Sequence, residues 1–136
     1  MRNILLICAA VLAVFSSCKK GDKEFFDKFP PEILFYEGDA VQNPDFVAVT
    51  LPAGTTEWNV KARVSAPLKL KEIKMYKQTG GTETPLESYN DFRLTPNVYH
   101  VNYVLTGITT ETTIRIDATD LDGKPTSRTF VIRVTP

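Results

Sequence analysis

The sequence is short of the groups that most enzyme chemistry needs. It has one histidine, His100, which excludes a multi-histidine metal centre. It has two cysteines, Cys8 and Cys18, both in the first 18 of 136 residues, so the rest of the chain has no thiol for a disulfide framework, a zinc knuckle or a nucleophile. Neither sign of charge dominates. Sixteen Lys plus Arg stand against sixteen Asp plus Glu, and without a concentrated basic face no nucleic-acid partner is expected. No apolar run reaches the roughly 20 residues of a membrane-spanning helix, and no stretch has the 3.6-residue period of an amphipathic one. What remains is a chain with 43% hydrophobic and 24% charged residues, globular in composition and long enough for one domain.

The N-terminus is expected to be a leader. Met1-Arg2-Asn3 is a short positive stretch, and Ile4 to Phe15 (ILLICAAVLAVF) is unbroken apolar sequence. As a helix that run is about 18 Å long against a bilayer core of about 30 Å, so it matches the apolar core of a signal peptide. Ser16 and Ser17 follow, then Cys18. The FSSC of Phe15 to Cys18 resembles the lipobox of bacterial lipoproteins, with Phe15 where that family usually has Leu. The resemblance implies cleavage before Cys18, acylation of Cys18 by palmitate-type chains, and a mature protein held on a membrane. Two or more acyl chains give stable anchoring, at about 0.8 kcal/mol per buried methylene. Lys19 rather than Asp follows the cysteine, which by resemblance to Gram-negative sorting implies the outer membrane, with the periplasmic or surface-exposed leaflet left open. Removing Arg2 with the leader leaves the mature side chains one negative charge in excess.

Residues 1–17 are thus expected to be the signal peptide, 18–32 a lipidated tether and 33–136 the folded domain. Lys19 to Glu24 is a charged patch that loosely resembles the surface-export tethers of Bacteroidota lipoproteins, and it is equally a plain solvated linker. Pro30-Pro31 favours an extended exit from the tether. Phe25, Phe26 and Phe29 either dock on the domain or sit near the membrane surface, and docking is the expectation, since exposed aromatics invite aggregation.

The domain reads as strands. Trp58, Val60, Ala62 and Val64 alternate with polar residues; so do Tyr99, Val101, Tyr103 and Leu105, and Ile114, Ile116 and Ala118. A period of two marks a strand buried on one face. Shorter apolar runs lie at Ile33–Tyr36, Phe46–Leu51 and Phe130–Val134. Leu68 and Leu70 have the opposite parity to Ile73 and Met75, which a bulge near Lys71-Glu72 reconciles. Gln78 to Gly81 is a turn, and 82–97 is polar, with Pro85 and Pro96, and reads as a long connection with room for one irregular strand. Thr119 to Pro125 is a run of turn formers between the last two strands, which form a hairpin. About seven short strands, each with one apolar face to hide, predict an all-β fold: an immunoglobulin-like antiparallel β-sandwich. Thr112 to Val134 (TTIRIDATDLDGKPTSRTFVIRV) resembles the ending of Ig-like modules common in Bacteroidota envelope lipoproteins, which extends the resemblance over 33–136 and speaks to fold far more than to function.

Chemistry is sparse. His100 falls on the outward parity of its strand, and no nucleophile-elbow motif surrounds Ser65, Ser88 or Ser127. Glu83, Glu87 and Asp91 share one polar connection without a cleft. Asp117, Asp120 and Asp122 are a weak calcium candidate, with hard oxygens near one turn. Ala118 and Thr129 break the EF-hand pattern, and turn chemistry with Gly123 at positive φ explains the same residues. Lys69, Lys71, Lys74 and Lys77, with Arg63 nearby, suggest a basic stripe or a solvated face. Trp58 and Tyr103 have core parity, whereas Tyr89 and Phe92, in the polar connection, are the freest aromatics for ligand binding.

No enzyme activity and no cofactor are expected. The expected function is that of a binding or accessory lipoprotein at the outer membrane, its partner a glycan or another envelope protein docked on the Ig-like module. A row of exposed aromatics on one face favours glycan; a bare strand edge with an apolar patch favours protein. Cys18→Ala is expected to abolish incorporation of labelled palmitate and to displace the protein from membranes, read by autoradiography and fractionation.

Overall fold

The inward faces of the strands are lined by the residues whose alternation stands out along the chain. The structure is a computed structural model that describes residues 28–40 and 43–136. Among these, eight strands form: β1 (Glu32–Phe35), β2 (Ala48–Leu51), β3 (Trp58–Ser65), β4 (Leu70–Thr79), β5 (Thr82–Tyr89), β6 (Val98–Leu105), β7 (Thr112–Asp120) and β8 (Pro125–Val134). Two sheets result, one ordered β1-β3-β6 and the other β2-β8-β7-β4-β5. The first set corresponds to strands A, B and E of an immunoglobulin domain. In the second, β8, β7 and β4 correspond to G, F and C, with β5 as C′. The fold is therefore an immunoglobulin-like β-sandwich.

Two details differ from the expectation. There are eight strands rather than seven, because the polar stretch after Gly81 forms a full edge strand, bulged opposite Met75 and Tyr76. Gly80 and Gly81 both have positive φ (57° and 83°) and make a two-residue hairpin turn that carries β4 directly into β5. β5 is an edge strand, largely exposed, so it shows no apolar period to read. The sandwich is also not antiparallel throughout: β2 pairs parallel to β8, Ala48 opposite Val131 through Leu51 opposite Val134. The leading segment is thereby split, with β1 in one sheet and β2 in the other. The bulge expected near Lys71 is present as a register shift between Leu70 and Glu72, which lets Leu70, Ile73 and Met75 all point inward.

The core is aliphatic at its centre: Val60, Ala62 and Val64 of β3 with Val101 of β6 from one sheet, and Ile73, Met75, Ile114, Ile116 and Ile132 from the other. Aromatic rings sit at its two sides. Phe35 of β1 lies 4.9 Å from Phe130 of β8, with Phe46 5.1 Å away on the same ring. On the opposite side Tyr89 of β5 lies 5.0 Å from Tyr99 of β6, and Phe92 meets Tyr99 edge-on at 5.4 Å. Each clasp joins one sheet to the other. Replacing Phe130 by Ala removes the ring that touches both Phe35 and Phe46, and is expected to destabilise the domain by about 3–5 kcal/mol, read as a lowered urea midpoint with the slope unchanged.

Candidate interaction surfaces

Three surfaces are built from the strands and turns: the outward face of the five-stranded sheet, the sheet edges, and the loop end. The outward face carries the sharpest polar geometry. Asp117 lies opposite Lys74 on one side and Ser127 on the other, and Arg115 opposite Tyr76. Ser127 Oγ donates to Asp117 at 2.7 Å, and Lys74 pairs with Glu72 at 2.9 Å, which raises the Lys74 pKa above its ordinary value. Arg115 donates to Glu83 at 2.9 Å, and its guanidinium lies 4.5 Å from the centre of the Tyr76 ring. These groups line a shallow depression of about 500 Å³. Its charges are already paired with one another, so a ligand there must exchange existing ion pairs for its own.

The edges differ in how they are guarded. β5 carries Pro85 and a bulge opposite Met75/Tyr76, both of which hinder strand addition. β1 and β2 are four residues each, and Arg128 Nη1 donates to the Ile33 carbonyl of β1 at 2.6 Å. β6 is eight residues long, has no proline, and no described strand pairs with it on the side away from β3. Its outward face shows Val98, His100, Asn102 and Val104, the last 57% exposed. His100 points outward as its parity requires, with Nδ1 2.5 Å from the Tyr36 hydroxyl.

The residues singled out by sequence take different places. Cys18, Phe25 and Phe26 lie outside the described residues, and Phe29 is exposed. Phe92, expected as an open loop aromatic, is only 6% exposed and belongs to the core, because the 90–97 connection folds its ring against Tyr99. Tyr89 is half-buried in the same clasp, its hydroxyl 3.9 Å from Met75 Sδ. They meet through Tyr99, at a packing contact and not on an open platform. Trp58 and Tyr103 pack against the core, as their parity requires.

Asp117, Asp120 and Asp122 do not converge. Asp117 is on the outward face of β7, Asp120 on the inward face and buried, and Asp122 is exposed in the turn. Asp120 is turn chemistry: its Oδ1 accepts the Lys124 backbone N–H at 2.8 Å, its carbonyl accepts that of Gly123, and Gly123 has φ +83°. Among the described residues no three His, Cys, Asp or Glu side chains are grouped to hold a metal. The basic stripe is dispersed as well. Lys69 sits in a turn at φ +71°, Lys71 at the bulge, Lys74 on the outward face and Lys77 on the opposite parity, while Arg63 is in the other sheet, paired with Glu32. The bulge and the turn rotate successive lysines out of line.

No protein-family model matches the chain, and no curated protein sequence matches it. Solved structures do resemble it. A variant of the superoxide reductase (neelaredoxin) from Ignicoccus hospitalis aligns over 86% of this chain and 91% of its own at 11% identity and a TM-score of 0.53. A fibronectin(III)-like module of Clostridium thermocellum CbhA aligns over 76% of this chain and 96% of its own at 13% identity and a TM-score of 0.40. The reductase likeness is one of fold alone and transfers no reaction.

Burial within the clasp pushes the Tyr89 phenol up to about 12, with Tyr99, Glu87 and Tyr103 adding to the effect. The folded state therefore favours the neutral phenol, and the unfolded chain, titrating near pH 10, does not. Stability from this group is complete below pH 10 and is lost as pH rises towards 12. Ultraviolet titration is expected to show Tyr89 ionising late, in step with unfolding, and Tyr89→Phe is expected to remove that step.

Proposed function

We propose that this chain is a non-enzymatic, lipid-anchored protein of the bacterial outer membrane whose Ig-like domain binds another envelope protein by strand addition. The anchor rests on the leader and on the lipobox resemblance at Phe15 to Cys18. The observation that carries the binding mode is the unguarded β6 edge: eight residues without proline, unpaired on one side among the described strands, with an exposed valine near each end. Backbone groups along such an edge supply affinity for an added strand, and outward side chains supply selectivity. The aromatic rings favour this over glycan capture. Trp58, Tyr89, Phe92, Tyr99 and Tyr103 are all in or against the core, leaving no row of exposed rings among the described residues for sugars to stack on.

A glycan reading keeps one foothold, the polar depression where Tyr76 underlies Arg115. It predicts that Arg115→Ala weakens polysaccharide binding, whereas strand addition predicts no effect of that change on partner capture.

A photo-crosslinking side chain at Asn102, in the middle of β6, is expected to trap a protein adduct in intact cells. Val104→Lys, an exposed change that leaves the core intact, is expected to reduce that adduct about tenfold, equivalent to about 1.4 kcal/mol. No adduct from Asn102, or an equal yield from Thr84 on the guarded β5 edge, would overturn the strand-addition mode.

A further inference from the structure

Strand register places the N-terminal end of the domain together with three loops. Glu32, the first residue of β1, is opposite Ser65, the last of β3; Ser65 is opposite Val98, the first of β6; Leu70 opens β4 opposite Asp120, which closes β7. The tether therefore enters at the end of the sandwich that carries the loops 66–69, 90–97 and 121–124. These loops form one hydrogen-bonded platform. The Lys69 carbonyl accepts the Leu121 N–H at 3.1 Å, the Pro96 carbonyl that of Leu70 at 2.7 Å, and Asn97 Nδ2 donates to the carbonyls of Ala66 and Pro67.

This platform is where the described surface is most apolar. Of its six exposed large hydrophobic residues, four (Phe29, Leu94, Val98 and Leu121) lie at this end. Leu94 is 96% exposed and Leu121 57%, each at a loop tip. Leu94 is held in place: the Phe92 carbonyl accepts the Thr95 N–H at 3.2 Å, and Arg93 clamps Asp91 through two N–H donors at 2.9 and 2.7 Å. Nothing inside the domain gains from presenting a leucine to water on a fixed tip. Charge is mixed here, with Lys69, Lys71 and Lys124 against Asp122 and with Arg93 paired to Asp91, so the exposed apolar tips rather than a field of one sign distinguish this end.

We propose that this loop end docks on the lipid bilayer, with Leu94 and Leu121 inserted among the headgroups as a second, reversible contact beside the acyl anchor. The proposal rests on the lipid-anchor reading above. At most roughly 45 Å of extended chain separates Cys18 from β1, so an anchored tether brings this end to the membrane at a higher effective concentration than the opposite one. The β6 edge then faces sideways, clear of the surface.

The test uses the full chain, acylated and reconstituted in phosphatidylethanolamine–phosphatidylglycerol vesicles, with a bimane label at Leu94→Cys or, at the opposite end, at Thr109→Cys. Lipid-phase nitroxides are expected to quench the label at 94 and leave that at 109 bright. Adding Leu121→Asp is expected to lower the docked-to-free ratio by about tenfold or more, with little dependence on salt. Equal quenching at 94 and 109 in acylated protein would overturn the docking while leaving the anchor intact. Intact mass showing an unacylated chain would overturn the anchor itself, and the docking argued from it. Shielding of position 94 in native membranes but not in protein-free vesicles would mean that a protein covers this end, and would also overturn the proposal.

Discussion

The sandwich depends on two aromatic clasps that close opposite sides of an aliphatic interior. Phe35 and Phe46 meet Phe130 on one side, and Tyr89 and Phe92 meet Tyr99 on the other. Between them, branched and small residues of β3, β4 and β7 fill the narrow space that two facing sheets leave. Rings at the sides and aliphatics in the middle is a sensible division. A large flat ring at a sheet margin reaches a ring of the facing sheet, where a valine would leave a void. It also explains why aromatic side chains that look available along the chain are not: they close the sides of the core.

What the fold leaves uncovered follows from the same arrangement. With three strands on one side and five on the other, β6 ends its sheet without a described neighbour, while β5 ends the larger sheet behind a proline and a bulge. Splitting the leading segment between β1 and β2 gives both sheets a short strand at the remaining margin. The opportunities for binding are thus a long bare edge and a loop platform at the N-terminal end. The outward face of the larger sheet is polar and internally paired. That division suits a module that meets macromolecules by edges and tips, and suits less well one that encloses a small molecule.

Alternation along β3, β6 and β7 was legible because those strands have one face in the core and one nearer solvent, so parity translates into burial. The Lys71 bulge was legible for the same reason: a parity break between Leu70 and Ile73 has one inexpensive structural remedy. β5 was legible only as room for one irregular strand in a long connection, since a strand with little buried surface has no period to display, and its Gly-Gly turn and hydrogen bonds to β4 make it a strand. Phe92 misled because a polar neighbourhood along the chain says nothing of which single side chain turns inward, here against Tyr99.

The amino-acid sequence by itself determined the all-strand architecture, the apolar run that ends in Ser-Ser-Cys, and the scarcity of catalytic groups, all of which depend on residue type and local spacing. Tertiary structure alone decided which aromatics are hidden, which edge is bare, that the three aspartates near the last turn point to different places, and that Leu94 and Leu121 share the end where β1 begins. Each of these is a relation between segments far apart in the chain, set by sheet pairing and register, and no local pattern encodes it.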